Sequence, residues 1–131
     1  MMTKTYTIEM KESRAKLIDE NKTIVFNQGD VGTSIIKFYC KQEDGKMEDL
    51  TDTTAKVIAE TPNTDTNGDK VVATQGTCTV DDSTGTVTVV LDSSLIDTVG
   101  DYVLQLQLVG KNSEIYTYTP KINYTVKDVI G

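Results

Sequence analysis

The side chains of this sequence that could carry out chemistry are mainly carboxylates, because the chain contains no histidine. Without an imidazole the commonest general base is missing, so acid–base catalysis would have to rest on paired acids. One such pair is Asp81-Asp82, but it lies in Asp81-Asp82-Ser83-Thr84-Gly85, a stretch typical of a turn. Asp favours turns because its carboxylate accepts hydrogen bonds from nearby backbone amides. We therefore predict no catalytic residues and no enzymatic activity.

A second candidate is the polar segment 63–69, which resembles the start of a calcium-binding loop. Oxygen-bearing side chains alternate from Asn63 and Gly68 stands at the sixth position, as in an EF-hand. However, the first position is Asn rather than Asp, and Thr74 stands at the twelfth, where a bidentate Glu is needed. The alternative is a connection between strands that turns at Asn67-Gly68, in a type I′ or similar tight turn. We predict that turn and no metal site.

Two other patterns could hold a metal or a cofactor. Cys40 and Cys78 are far apart in a sequence without histidine, which argues against zinc. The chain start has no apolar run typical of a signal peptide. We therefore expect the protein to stay in a reducing cytoplasm, with both cysteines as free, buried thiols.

The glycine-containing segment 29–32 precedes a predicted strand, so it lacks the helix N-terminus of phosphate sites. We predict no cofactor.

The tyrosines near the C-terminus have two interpretations. Tyr116, Tyr118 and Tyr124 could form an aromatic platform for sugars, which would make the chain a carbohydrate-binding module. Their alternation with Ile122 and Val126 instead favours a core face whose hydroxyl groups reach the rim of the core. Both interpretations stay open from the sequence.

The charge balance limits the partners. The chain has 13 basic and 20 acidic residues in 131, a net charge of −7. Binding to phosphates is driven by Lys and Arg, so this balance predicts no nucleic-acid partner and no anionic membrane surface. It is compatible with a solvated surface or with a basic protein partner.

Short runs rich in Val, Ile, Thr and Tyr, separated by Gly, Asp and Asn, organise the chain. Such runs are typical of strands joined by tight turns. The predicted strands are residues 3–10, 23–27, 33–41, a short return strand over 47–50, 53–61 (ending at Pro62), 76–80, 86–91, 101–109 and 115–126, with a helical turn within 93–99. They predict an all-β, antiparallel, immunoglobulin-like β-sandwich of seven to nine strands. We expect one domain overall, with an N-terminal strand and charged lead-in over 1–22 and the sandwich over 23–131.

The order of these segments resembles the N-terminal domain of phage baseplate upper proteins, a tail and baseplate family of phages and prophages of Gram-positive bacteria. The resemblance covers roughly residues 4 to 127. The segments that carry it are Lys4-Thr5-Tyr6-Thr7-Ile8, Ile24-Val25-Phe26-Asn27-Gln28-Gly29-Asp30, Thr33-Ser34-Ile35-Ile36-Lys37-Phe38, Glu48-Asp49-Leu50-Thr51, Ala55-Lys56-Val57-Ile58-Ala59, Gly85-Thr86-Val87-Thr88-Val89-Val90-Leu91, Leu95-Ile96-Asp97-Thr98-Val99-Gly100 and Tyr102-Val103-Leu104-Gln105-Leu106.

The resemblance implies an immunoglobulin-like sandwich and a structural role in the virion. It implies a module that attaches the host-recognition apparatus to the tail or baseplate through contacts with other virion proteins, with a homo-oligomer possible in the assembled particle. It also implies that a stem and a receptor-proximal region follow such a domain in family members. The expected location is the virion tail or baseplate, after assembly in the host bacterial cytoplasm.

Overall fold

The computed structural model describes residues 2–19, 22–76 and 78–130. Within them the chain forms eleven strands and one short 3₁₀ turn, Ser93–Leu95. No helix in these residues is long and apolar enough to cross a membrane. The strands, numbered in chain order, are β1 Lys4–Met10, β2 Ala15–Leu17, β3 Val25–Asn27, β4 Ser34–Cys40, β5 Thr54–Thr64, β6 Lys70–Gln75, β7 Thr79–Asp81, β8 Thr86–Val90, β9 Gly100–Val109, β10 Ile115–Thr117 and β11 Ile122–Lys127.

The strands form two sheets packed as a sandwich, which confirms the predicted all-β class. The first sheet has the order β2-β1-β4-β8-β7, and the second has the order β3-β11-β9-β5-β6, with β10 also paired to β9. The inward faces of the two sheets form the core, which includes three of the six tyrosines, Tyr102, Tyr118 and Tyr124. Alternating burial along each long strand, such as β4 and β9, sets which residues reach it.

Two details of the predicted sandwich are wrong. β1 runs parallel to β4, and β3 runs parallel to β11, so both sheets are mixed rather than antiparallel. The reason is the path of the chain: after β2 it crosses to the second sheet as β3, and it re-enters the first sheet at the end where β1 began. The strand count also exceeds seven to nine, because several strands are only three residues long and the sequence does not predict β6. The predicted return strand over 47–50 is reduced to a single bridge between Lys41 and Met47.

Strand β9 lies in the middle of its sheet, as its sequence predicts. β5 pairs with one edge from Val103 to Val109. The other edge is paired with β11 near Gly100–Leu104 and with β10 near Val109. Its inward side chains are buried and its alternate side chains are only half-buried, the inward ones being Tyr102, Leu104, Leu106 and Leu108.

The return strand after β9 is interrupted, although the sequence predicts one continuous strand over 115–126. The Tyr118 amide donates to the Leu106 carbonyl, whereas Ile122 lies opposite Leu104. Four residues of the return strand therefore span two residues of β9. The excess is taken up in the bend at Thr119–Pro120, where proline cannot donate to a ladder. Tyr118 and Ile122 consequently both remain buried in the core.

Pro62 does not end its strand, contrary to the prediction. β5 continues to Thr64, and its pairing with β6 shifts register between Glu60 and Thr64. On the other edge, the pairing with β9 stops at Glu60. Pro62 thus occupies a bulged stretch where its missing N–H leaves no ladder bond unmade, one of the places where a sheet tolerates proline.

The segment after β8 covers one end of the core, as predicted. Asp92 caps the 3₁₀ turn by accepting a bond from the Ser94 amide, and Leu95 and Ile96 are fully buried. The Tyr124 hydroxyl donates to the Leu95 carbonyl at 2.8 Å. The interpretation of Tyr124 as a core residue is therefore confirmed, but its hydroxyl is bonded inside the core rather than at the rim.

Buried polar side chains connect the two sheets along both sides of the sandwich. On one side, Gln75 of β6 donates to the Val90 carbonyl at 2.7 Å and accepts from the Asp92 amide at 2.9 Å. On the other side, the Tyr6 hydroxyl of β1 donates to the Val25 carbonyl of β3 at 3.0 Å. These bonds satisfy backbone groups at sheet margins that would otherwise be costly to bury.

Candidate functional site

Asp81 and Asp82 form part of a turn, as the sequence predicts. Asp81 Oδ1 accepts bonds from the Ser83 amide at 3.0 Å and from the Ser83 hydroxyl at 2.6 Å. These bonds hold the pKa of the Asp81 carboxyl below its usual value. Gly85 closes the turn at φ +66°, a backbone conformation that suits glycine.

The segment 63–69 is also a turn. Asp65 Oδ1 accepts bonds from the amides of Asn67 (2.8 Å) and Asp69 (3.1 Å). Gly68 has φ +82° whereas Asn67 does not have a positive φ, so the turn is tight but not type I′, which needs both. Across the described ranges, no three His, Cys, Asp or Glu side chains are grouped as a metal site would require.

The two cysteines are unpaired, as predicted. Cys40 is buried as predicted, but the prediction of a buried thiol is wrong for Cys78, which is only half-buried. Desolvation raises the pKa of the Cys40 thiol to about 12 and that of the Cys78 thiol to about 11. Both thiols are therefore protonated at neutral pH and are poor nucleophiles.

The three candidate tyrosines do not form a flat platform. Tyr118 and Tyr124 are buried in the core, whereas the Tyr116 side chain is 46 % exposed. Tyr116 meets Tyr118 edge-on, with the ring centroids 5.0 Å apart. A sugar could therefore stack on only one of the three rings.

Tyr116 instead belongs to a cleft at one end of the sandwich, which we call the acidic cleft. Two segments form its walls, namely the chain entering β5 and the turn between β9 and β10. The cleft encloses about 580 Å³ and is lined by Glu48, Asp49, Thr51, Asp52, Thr53, Leu108, Gly110, Lys111, Glu114, Ile115 and Tyr116. This volume lies within the range of ordinary ligand and peptide sites.

The acidic cleft has an apolar floor and a charged rim. Ile115 and Tyr116 are exposed beside Leu108, which closes the core below them. The rim has four carboxylates and one ammonium group, a formal charge of −3, and none of these carboxylates forms an ion pair with a described residue. Exposed aromatic and aliphatic side chains within a polar rim are typical of protein interfaces.

Glu12, from the turn between β1 and β2, extends the acidic surface next to Tyr116. Its carboxylate accepts hydrogen bonds from the Thr119 and Tyr116 hydroxyl groups. These bonds lower the pKa of Glu12. Partial burial, the bond to Glu12 and the charges of Glu12, Glu48 and Glu43 raise the pKa of Tyr116 to about 12.

The backbone of both walls is unusual. Among the described residues other than glycine, only Asp52 (φ 53°) and Ser113 (φ 65°) have positive φ, and each lies in one wall of the acidic cleft. Such conformations occur mostly in turns and often near functional sites. In the second wall the Glu114 side chain lies against Gly110, where a Cβ would approach Glu114 Oε1 to 2.7 Å.

The sequence indicates Tyr116 as a possible contact residue but does not reveal the rest of the cleft. Glu48 and Glu114 are 66 positions apart in the sequence, and only the pairing of β5 and β10 with β9 brings their segments together. The available signal was weak: adjacent acids at Glu48-Asp49, beside a strand pattern.

The whole sandwich lies within a match to one protein family. The sequence profile of the BppU N-terminal domain, the N-terminal domain of the phage baseplate upper protein, matches residues 2–130. The chain belongs to this family of phage baseplate structural domains. Its assignment as a virion structural protein domain rests on that membership, and the family is not one of known enzymes.

One solved structure shares the fold over nearly the whole chain, and another matches over part of it. The N-terminal domain of phage TP901-1 ORF48 matches with a TM-score of 0.68 and 12 % identity, over 94 % of this chain and 98 % of that one. The crystal structure of CopC from Methylosinus trichosporium OB3b has a TM-score of 0.33 and 16 % identity, over 58 % of this chain and 64 % of that one. No curated protein matches the chain.

Proposed function

We propose that this chain is a docking module of the phage tail or baseplate, which attaches the host-recognition apparatus to the particle through protein–protein contacts. The observation that carries the proposal is the family match over residues 2–130. The fold shared with the N-terminal domain of TP901-1 ORF48 over nearly the whole chain is consistent with it. The proposed location is the virion tail or baseplate, after assembly in the host bacterial cytoplasm.

The acidic cleft is the surface that best fits a partner within this proposal. Its charge of −3 is part of an overall charge of −7, so a basic protein segment is favoured over nucleic acid or an anionic membrane. The exposed Ile115 and Tyr116 side chains would supply apolar contact area. Charges around the rim would raise the association rate and the selectivity more than the affinity.

The predicted lead-in is part of this module in our proposal. β1 lies between β2 and β4, so the N-terminal strand is an inner strand of the first sheet. Its side chains Ile8 and Met10 are buried in the common core. We therefore propose one domain that includes both 1–22 and 23–131.

Two experiments test the docking function. Immunogold labelling with antibodies against the chain should mark the tail end of virions, and label on the capsid alone would contradict the proposal. Co-expression of the chain with each other tail and baseplate protein of the same phage should yield a stable complex by size-exclusion chromatography. If the chain formed a complex with none of these proteins, the docking role would be contradicted.

Charge variants test the cleft separately. Glu48→Gln with Glu114→Gln removes two rim charges, and we expect about tenfold slower association with the basic partner. Asp69→Asn with Asp128→Asn removes two exposed charges outside the cleft and should leave the association rate unchanged. Equal effects of the two double variants would show that the cleft is not the docking surface.

Sugar binding is the competing function, and Tyr116 is its one exposed candidate. A glycan array should show no saturable binding by the chain. Binding that is abolished by Tyr116→Ala, without loss of the fold, would favour a carbohydrate-binding module instead.

A further inference from the structure

The free edges of the two sheets are not equally protected. The strands β2, β3 and β7 at three of the four sheet ends have three residues each, whereas β6 at the fourth has six. Proteins commonly prevent unwanted pairing by keeping edge strands short, charged or interrupted by proline and bulges. β6 differs from the other edge strands in its length, and the bulge beside its first residues lies in β5 rather than in β6 itself.

The composition of β6 also favours pairing. Its sequence is Lys-Val-Val-Ala-Thr-Gln, with one charge and no proline. Val71 and Val72 are 39 % and 60 % exposed. The 3₁₀ turn approaches this strand, and Gln75 is bonded to the chain just before that turn, so the exposed stretch is residues 70–74.

We propose that residues 70–74 form a self-association edge that pairs antiparallel with β6 of a second copy. In this arrangement a two-fold axis passes through Val72, perpendicular to the sheet that contains β6. That sheet then continues from one copy into the other. The axis places Val72 opposite Val72 of the second copy, Val71 opposite Ala73, and Lys70 opposite Thr74. Apolar residues thus meet directly, as favourable cross-strand pairs do.

Charge supports a second copy as the occupant of this edge. Two molecules that each carry −7 repel one another over most of their surface. β6 has one lysine and no carboxylate, and in the proposed register Lys70 lies opposite a neutral threonine. The two copies can therefore approach at β6 without bringing like charges into opposition.

The expected dimer is weak. An edge of five residues buries less surface than the roughly 1,200–2,000 Å² of a standard stable interface. It would become populated at high protein concentration, or where an assembly holds copies side by side. This inference does not depend on the docking function, since it concerns the isolated chain.

Sedimentation equilibrium over a range of concentrations tests the dimer. We expect a monomer–dimer equilibrium for the unaltered chain, with a dissociation constant about tenfold higher for Val72→Lys, which sets two lysines opposite each other. Added salt should partly restore the Val72→Lys dimer by screening that repulsion. Val90→Lys is the matched control, because Val90 is an exposed valine of the first sheet, and it should dimerise as the unaltered chain does.

Cross-linking tests the register. Val72→Cys should form a disulfide-linked dimer on mild oxidation, whereas Val90→Cys and the unaltered chain should not. A chain that stays monomeric at every concentration, with no cross-link at position 72, would overturn self-pairing and leave the β6 edge to a strand of another protein. A dimer unaffected by Val72→Lys would also overturn the proposal, because it would use a different surface.

Discussion

Leu106 and Gln105 are adjacent on β9 but belong to opposite faces of the second sheet. Leu106 is fully buried between the sheets. Gln105 lies on the outer face, where its amide donates at 3.3 Å to the carbonyls of Tyr118 and Thr119. The alternation in the sequence predicts the two faces, but it does not show that Gln105 holds the bend beside Pro120.

We predict that Leu106→Ala lowers the free energy of unfolding by about 2–5 kcal/mol, because it removes buried methyl groups and leaves a cavity. Gln105→Ala should cost about 1 kcal/mol or less, since its two bonds are long and partly exposed. Chemical denaturation of both variants provides the measurement. Equal losses would mean that the outer face of β9 is as tightly packed as the inner one.

The thiols give a second prediction at the residue scale. Because burial raises the pKa of Cys40 to about 12 and of Cys78 to about 11, neither should react quickly with a thiol reagent at pH 8. After denaturation without reductant, two thiols per chain should be titrated. Fewer than two would mean that a disulfide forms in solution, and fast labelling of the native protein would contradict the burial.

At the scale of the strand, the Gln75 side chain connects the edge strand β6 of the second sheet to the end of β8 in the first sheet. It is 3 % exposed, and its amide group bonds both the Val90 carbonyl and the Asp92 amide. We predict that Gln75→Ala lowers the free energy of unfolding by about 1–3 kcal/mol, because it leaves two partly buried backbone groups without these partners. Thermal and chemical denaturation should show this loss.

The control for that prediction is Gln42, an exposed glutamine in the turn after β4. Gln42→Ala should change the free energy of unfolding by about 0.5 kcal/mol or less, as most surface substitutions do. A small effect of Gln75→Ala, similar to that of the control, would indicate that water replaces the lost bonds.

Local sequence patterns predict the long strands well, but they do not predict how the strands are paired. β4, the β7–β8 turn and β9 follow from alternation and from turn residues at expected places. Pro62 in β5 was predicted to end the strand, because the sequence does not reveal that its neighbours leave it unpaired at a bulge. The parallel pairing of β1 with β4 also has no local signal, since it depends on where the chain crosses between sheets.

The position of the acidic cleft likewise could not be predicted from local sequence patterns. The sequence shows an acidic chain and one tyrosine that could contact a ligand. The relation of Glu48 to Glu114 depends on strand register over more than 60 residues. Composition therefore predicts the sign of the partner's charge but not the surface that meets it.

For the molecule as a whole, the carboxylates determine the response to acid. Hydrogen bonds and nearby lysines lower the pKa values of the following residues in the folded state: Glu9, Glu12, Asp49 and Asp81. A carboxyl group with a lowered pKa stabilises the fold above its unfolded pKa, and this contribution is lost as the pH falls through the folded pKa. Stability should therefore decline as the pH falls below about 4.

We predict that Glu12→Gln reduces this decline, because it removes the carboxylate that accepts bonds from Tyr116 and Thr119. The difference in unfolding free energy between the unaltered chain and Glu12→Gln should be present at pH 7 and should shrink as the pH falls below the ordinary pKa of a glutamate, about 4. Denaturant titrations at several pH values provide the measurement. Asp128→Asn is the control, and a pH-dependent difference of equal size for it would contradict a specific role for Glu12.

The parallel pairing of β3 with β11 has a consequence for how the protein is made. Val25 lies opposite Thr125, so one of the first strands to be synthesised pairs with the last. On the ribosome, the margin of the second sheet stays open until the C-terminal strand has emerged, although most of the domain is already translated. Contacts between distant positions also slow folding. The completed fold therefore becomes available only after β11 has emerged from the ribosome, and the incomplete nascent chain is the form most exposed to mispairing with its neighbours.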